Sequence, residues 1–262
     1  MPRANRHYIP GCVWHITHRC HKQEFLLKFE KDRKRWLYWL FEAKKRYGLC
    51  VLNYIVTSNH IHLLVVDTGE KTIPQSLQLI AGRTAQEFNS RKQRKGSFWE
   101  DRYHATAVDT INHLAKCMVY IDLNMVRAGV VSHPSEYRNS GYNEIQNPPK
   151  RYGIINRKML LDYFSMQDEN RFREEHTNWI TAELNNNVLT RNQDWSESIA
   201  VGRKSFTEDI QQQLASRAQK RSILSVKDAT VLKEPGIPYS TVFDAEKGTL
   251  SHKNTYYWRQ NV

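Results

Sequence analysis

Leu49-Cys50-Val51-Leu52-Asn53-Tyr54-Ile55-Val56-Thr57-Ser58-Asn59-His60-Ile61-His62-Leu63-Leu64-Val65-Val66 is the stretch from which the fold can be read. Residues 49–56 are rich in β formers, Thr57-Ser58-Asn59 is a short turn, and residues 60–67 return as a second apolar run. The pattern predicts a β-hairpin. Alternate strand residues point to one face, so His60 and His62 project together. Ile61, Leu63 and Val65 point the other way and can be buried. Two adjacent imidazoles on a rigid strand can hold a divalent metal. An isolated His-x-His is weak evidence, because two exposed or hydrogen-bonded side chains give the same pattern.

Working outward, residues 13–20 read as an earlier strand, with Trp14, Ile16 and His18 on one face and His15, Thr17 and Arg19 on the other. Residues 32–47 carry Trp36, Leu37, Leu40, Phe41 and Tyr47 at roughly helical spacing, and Gly48 is a suitable stop. Ile73, Leu77, Ile80, Ala81, Thr84 and Phe88 mark a second helix, with Pro74 near its start. Residues 98–99 and 103–108 read as short strands around Glu100-Asp101-Arg102. Asp109 or Thr110 can cap a third helix over residues 111–127, with Ile111, Leu114, Met118, Ile121 and Met125 as its apolar stripe and Gly129 at its end. The order β-α-β-β-α-β-β-α implies an α+β fold, a mainly antiparallel sheet with helices packed on a face. After about residue 145 the pattern weakens. The expected division is residues 1–144 as one domain and residues 145–262 as a smaller extension. The extension is expected to be mostly irregular and helical, with a short helix near 205–218 behind a Ser205-Phe206-Thr207-Glu208 capping box and a basic tail from Arg217.

The third helix carries Tyr120, 58 residues past His62. At about 100° per residue, His113, Tyr120 and Asn124 fall on one strip of it. Tyr120 and Asn124 are one turn apart. The Asn124 amide oxygen is a suitable hard ligand for Mg²⁺ or Mn²⁺. Two imidazoles and one amide oxygen would leave open positions for a phosphate, which a tyrosine packed beside the metal could attack. The commoner fate of a helix tyrosine is a half-buried core position.

The 262 residues are 40% hydrophobic and 11% aromatic, enough for a real core. No apolar run approaches the ~20 residues of a membrane span, and no secretory pattern follows Met1, so the expected location is the cytoplasm. The four cysteines, Cys12, Cys20, Cys50 and Cys117, form no CxxC pair, in keeping with a reducing compartment. A zinc site over Cys12, His15, His18 and Cys20 is disfavoured, because a strand turns His15 away from the other three. The formal charge is +12; residues 1–144 carry 22 Lys and Arg against 13 Asp and Glu, and the remainder 17 against 14. A basic excess in the histidine and tyrosine half suits a polyanionic substrate, although solvated surface charge gives the same count.

Over about residues 7–144 the chain resembles the REP-associated tyrosine transposases of the single-tyrosine HUH superfamily. Val13-Trp14-His15-Ile16-Thr17-His18-Arg19, Tyr54 to Leu64, Phe98-Trp99-Glu100-Asp101-Arg102-Tyr103 and Tyr120-Ile121-Asp122-Leu123-Asn124-Met125-Val126-Arg127-Ala128-Gly129 carry the likeness in order. Two departures stand out: Thr57-Ser58 where the family commonly has Met-Pro, and Met125 where it has Pro. The resemblance implies a ferredoxin-like HUH fold and a divalent metal. It also implies cleavage and rejoining of single-stranded DNA at short palindromic hairpins, with a monomer acting in cis favoured over a homodimer. Attack by Tyr120 would leave a 5′-phosphotyrosine and release a 3′-hydroxyl, with His60, His62 and Asn124 holding the metal. A free tyrosine has a pKa of about 10, so it needs that help near neutrality. Arg19, Arg83, Lys95, Arg102 and Arg127 are candidate DNA contacts, and Trp99 a candidate base-stacking platform. The competing functions are a non-cleaving nucleic-acid binder of the same fold and a rolling-circle replication or conjugation nuclease.

Overall fold

The computed structural model describes residues 9–69, 71–110, 113–186, 192–214, 221–226 and 229–233. The hairpin forms as expected: β2 (Cys50–Val56) and β3 (His60–Val66) pair antiparallel, with Ile55 opposite His62. Strand β1 (Val13–Arg19) lies on the far side of β3 and pairs on its other edge with β4 (His104–Val108), both antiparallel. The spatial order β2-β3-β1-β4 is the ferredoxin-like arrangement. Helix α1 (Glu30–Tyr47) joins β1 to β2, and α2 (Thr72–Lys92) joins β3 to β4.

Helix α1 starts with Glu30 and Asp32 in its first turn and ends with Lys44, Lys45 and Arg46, the charge order its dipole favours. Gly48 closes it at φ 71°, a conformation that costs glycine little. Trp36, Leu40 and Ala43 are buried along the inward face. Helices cover the sheet on both faces, which is why β2 is buried at every position and carries no polar–apolar alternation. Helix α2 lies over the face of Ile16 and His18: Trp99, stacked on His18, donates its indole N–H to the Ala81 carbonyl. The opposite face, with His15 and His62, receives α3 (His113–Asp122), whose Tyr120 ring meets both imidazoles.

Three expectations change. The third helix is interrupted at Leu123, which separates α3 from α4 (Asn124–Arg127); Ile111 lies outside the described residues. Phe98-Trp99 is not a strand; Trp99 makes a single bridge to Cys20. The extension is not only irregular and helical. Besides α6 (Arg157–Tyr163), α7 (Glu169–Asn185), α8 (Asp194–Glu197) and α9 (Lys204–Leu214), it contributes β5 (Ala200–Gly202), β6 (Ser222–Val226) and β7 (Ala229–Lys233). Helix α5 (Gly141–Gln146) spans the boundary itself. Strand β5 pairs parallel with β4, and β7 and β6 follow, giving a seven-stranded sheet among the described residues. The reason is edge pairing: β4 leaves a row of backbone groups that a buried sheet must satisfy. A three-residue strand is too short for its sequence to announce it. Helix α9 begins at Lys204, one residue before the expected capping box, and most of the basic tail lies outside the described residues. Among the described residues, no helix is long and apolar enough to cross a membrane.

Candidate active site

The β1–β3 register puts Thr17 opposite His62 and Arg19 opposite His60. Directly opposed residues share a face, so His60, His62, His15, Thr17 and Arg19 look toward α3. The His60 and His62 rings lie 5.0 Å apart at 88°. Tyr120 comes down on them from α3, its ring 5.7 Å from that of His62 and 6.0 Å from that of His15. Asn124, at the start of α4, brings its Nδ2 within 3.0 Å of His62 Nε2. His60, His62, Tyr120 and Asn124 therefore converge within one chain. His113 does not join them; it stands 3.9 Å from Asp109, beside Gly202 and Arg203.

The hydrogen bonds around His60 orient its ring. Asn59 Nδ2 donates to the Gln23 carbonyl at 3.4 Å, which turns Asn59 Oδ1 toward His60 Nδ1 at 2.7 Å. An amide oxygen only accepts, so His60 Nδ1 carries the hydrogen and the lone pair is on Nε2. Thr57, one of the two departures from the family pattern, donates its hydroxyl to the His60 carbonyl at 2.8 Å and holds the same turn. Two imidazoles and an amide that can present its oxygen by a half-turn of the side chain form a donor set suited to a divalent cation. Among the described residues no group of three or more His, Cys, Asp or Glu is arranged to hold a metal ion, so a site here would rest on the two imidazoles and the amide.

Two residues that the sequence reading passed over support the tyrosine helix. Asp122 accepts from Asn53 Nδ2 on β2 at 3.0 Å and from His176 Nε2 on α7 at 2.8 Å, all three fully buried. That carboxylate ties α3 to the sheet and to the extension. The available signal was Asn53, a polar residue inside an apolar strand, which must find a partner when buried. His15 was read as an ordinary polar strand residue. Its Nε2 lies 2.9 Å from His62 Nδ1, and its Nδ1 lies 2.7 Å from the Trp195 carbonyl. Burial pushes its pKa down to about 3, so the ring is neutral.

The expected DNA contacts separate. Arg19 lies opposite His60, at the site. Arg127 sits with its guanidinium 4.2 Å over the Tyr120 ring and donates to the Tyr120 carbonyl beside the helix break, so it steadies the tyrosine. Arg83 is exposed on α2, over Trp39, on the other side of the sheet. Lys95 and Arg102 are exposed on the segment between α2 and β4. Trp99 is only 8% exposed, with His18 stacked on it at 4.0 Å. It is a core residue and offers no open ring face for a base. His18 and His15 point to opposite faces, so the Cys12–Cys20 stretch does not converge on one ion.

A strand with paired imidazoles thus faces a helix tyrosine, the arrangement that the sequence resemblance implied. Residues 8–124 match the family described as Transposase IS200 like. The match spans just under half of the chain, the part that holds His60, His62, Tyr120 and Asn124. Similar solved structures include a REP-associated tyrosine transposase bound to a REP hairpin, at 18% identity and TM-score 0.47, covering 58% of this chain and 90% of that one. Another is a protein from Deinococcus radiodurans R1 named as a transposase, at 18% identity and TM-score 0.31, covering 39% of this chain and 83% of that one. No curated protein matches the chain.

Proposed function

We propose that the protein is a metal-dependent, single-stranded DNA endonuclease and strand transferase that acts at hairpin, REP-like palindromic DNA through a 5′-phosphotyrosine. The supporting observation is the 3.0 Å approach of Asn124 to His62 Nε2 beside the Tyr120 ring. His60, His62 and Asn124 would hold Mg²⁺ or Mn²⁺. The bound cation would polarise the scissile phosphate and stabilise its developing charge. The Tyr120 oxygen attacks the phosphorus and loses its proton. The bond to the 3′ oxygen breaks, and that oxygen leaves as a 3′-hydroxyl. The DNA stays joined to Tyr120 through its 5′-phosphate, a bond that a second 3′-hydroxyl can reverse without ATP. Arg127, with its guanidinium over the Tyr120 ring, would keep the ring in place, and Arg19, opposite His60 in the strand register, would meet a phosphate bound there.

Residues 1–144 would carry this chemistry, with residues 145–262 as the appended extension. Because nucleophile and metal donors meet within one chain, the geometry supports a monomer acting in cis. The test is a nicking assay with hairpin and unstructured oligonucleotides in Mg²⁺ or Mn²⁺. The reading expects cleavage with a covalent adduct on denaturing gels. Hairpin binding with no cleavage under any metal would mark a non-cleaving binder, and preference for an unstructured origin-like strand a replication or conjugation nuclease.

A further inference from the structure

The extension reaches the sheet beside the proposed metal donors through backbone carbonyls. His15 on β1 and His104 and Thr106 on β4 share the face of His62. Each meets residues 195–198. His15 Nδ1 is 2.7 Å from the Trp195 oxygen, His104 Nε2 is 2.9 Å from the Ser198 oxygen, and Thr106 Oγ1 donates to the Ser198 oxygen at 2.6 Å. Carbonyl oxygens only accept, so each of these side chains donates. His15 is wholly buried, and its ring carries one proton, held on Nδ1 by Trp195. Its Nε2 is then an acceptor, and the His62 Nδ1 facing it at 2.9 Å must supply the hydrogen. In a neutral His62 the lone pair then resides on Nε2, the nitrogen that meets Asn124.

We propose that His15, held by the Trp195 carbonyl of the extension, is a positioning residue that sets the tautomer of His62 and so presents its Nε2 lone pair to the cation. This rests on the reading of His62 as a metal donor. Residues 195–198 of the extension would then support the metal site from outside the domain that carries the chemistry. An outer partner of this kind orients a ligating imidazole, and its loss weakens metal affinity about 10- to 100-fold.

The experiment has two arms on the full chain. The first is long-range ¹H–¹⁵N spectroscopy of the metal-free wild type with ¹⁵N-labelled histidine. It should show both His15 and His62 protonated at Nδ1; a His62 protonated at Nε2 overturns the proposal. The second titrates Mn²⁺ by electron paramagnetic resonance. His15→Phe keeps a buried ring without nitrogens and should bind Mn²⁺ about 10- to 100-fold more weakly. His15→Gln, which can still donate to Trp195 and accept from His62, should recover much of the loss. A folded His15→Phe protein with wild-type affinity overturns the proposal. If His15→Phe does not fold, the wild-type tautomer decides. If the wild type binds no Mn²⁺, the metal reading is at fault, and the tautomer spectrum still judges the His15–His62 relay.

Discussion

Asn124 Nδ2 stands 3.0 Å from His62 Nε2, joining the helix segment that follows Tyr120 to the strand that carries the paired histidines. The contact crosses between two elements separated by 62 positions in the chain. It sets how close the tyrosine can come to a cation on the histidines. Asn124→Ala should lower Mn²⁺ affinity at least about tenfold and slow cleavage, whereas Asn124→Asp should keep binding. Isothermal titration of both variants checks this; wild-type affinity in Asn124→Ala would remove Asn124 from the donor set.

Tyr120→Phe should abolish the covalent protein–DNA adduct and leave DNA binding largely intact. The change deletes one oxygen and keeps the ring packed under Arg127. Denaturing gels read the adduct, and fluorescence anisotropy reads the binding. Adducts that persist in Tyr120→Phe would place the nucleophile elsewhere.

His60→Ala and His62→Ala should each remove metal-dependent cleavage, since one imidazole and one amide hold a divalent ion poorly. Chelator should reproduce the mutants, and added Mg²⁺ or Mn²⁺ should restore only the wild type. Full cleavage in excess chelator would exclude the metal site.

Asp122→Ala should destabilise the fold by about 3 kcal/mol, because it strands the buried Asn53 amide and His176 imidazole together. Urea denaturation followed by tryptophan fluorescence measures the loss. A change below about 0.5 kcal/mol, the size expected of an ordinary surface substitution, would show that the carboxylate does not tie α3 to β2 and α7.

A hairpin with a single-stranded flank should bind tightly, and blunt duplex of the same sequence weakly. The flank supplies a flexible phosphodiester that can reach Tyr120, so deleting it should stop cleavage more than binding. Affinity should fall steeply with salt, as Lys and Arg neutralise phosphates and release counterions. Equal cleavage of blunt duplex and flanked hairpin at matched salt would refute this substrate.

Local pattern carried the core. The 49–66 stretch determined the hairpin, because apolar runs around a turn leave few alternatives, and period two placed His60 and His62 on one face. Helical spacing put Tyr120 and Asn124 on one strip, and the break at Leu123 did not separate them. Only the tertiary structure could decide what lies across those faces. Trp99 read as a possible stacking platform, yet His18 stacks on it, its indole N–H is bonded to the Ala81 carbonyl, and it is only 8% exposed. The extension read as irregular because β5 is three residues long and its pairing partner, β4, is 92 positions away from it in the chain. His15 could be placed on a face by its strand. Its alignment beside His62 is a matter of register between β1 and β3, and its bond to Trp195 spans 180 residues. Periodicity reports which way a side chain points. What it meets there depends on long-range pairing and burial, which no local window of the sequence contains.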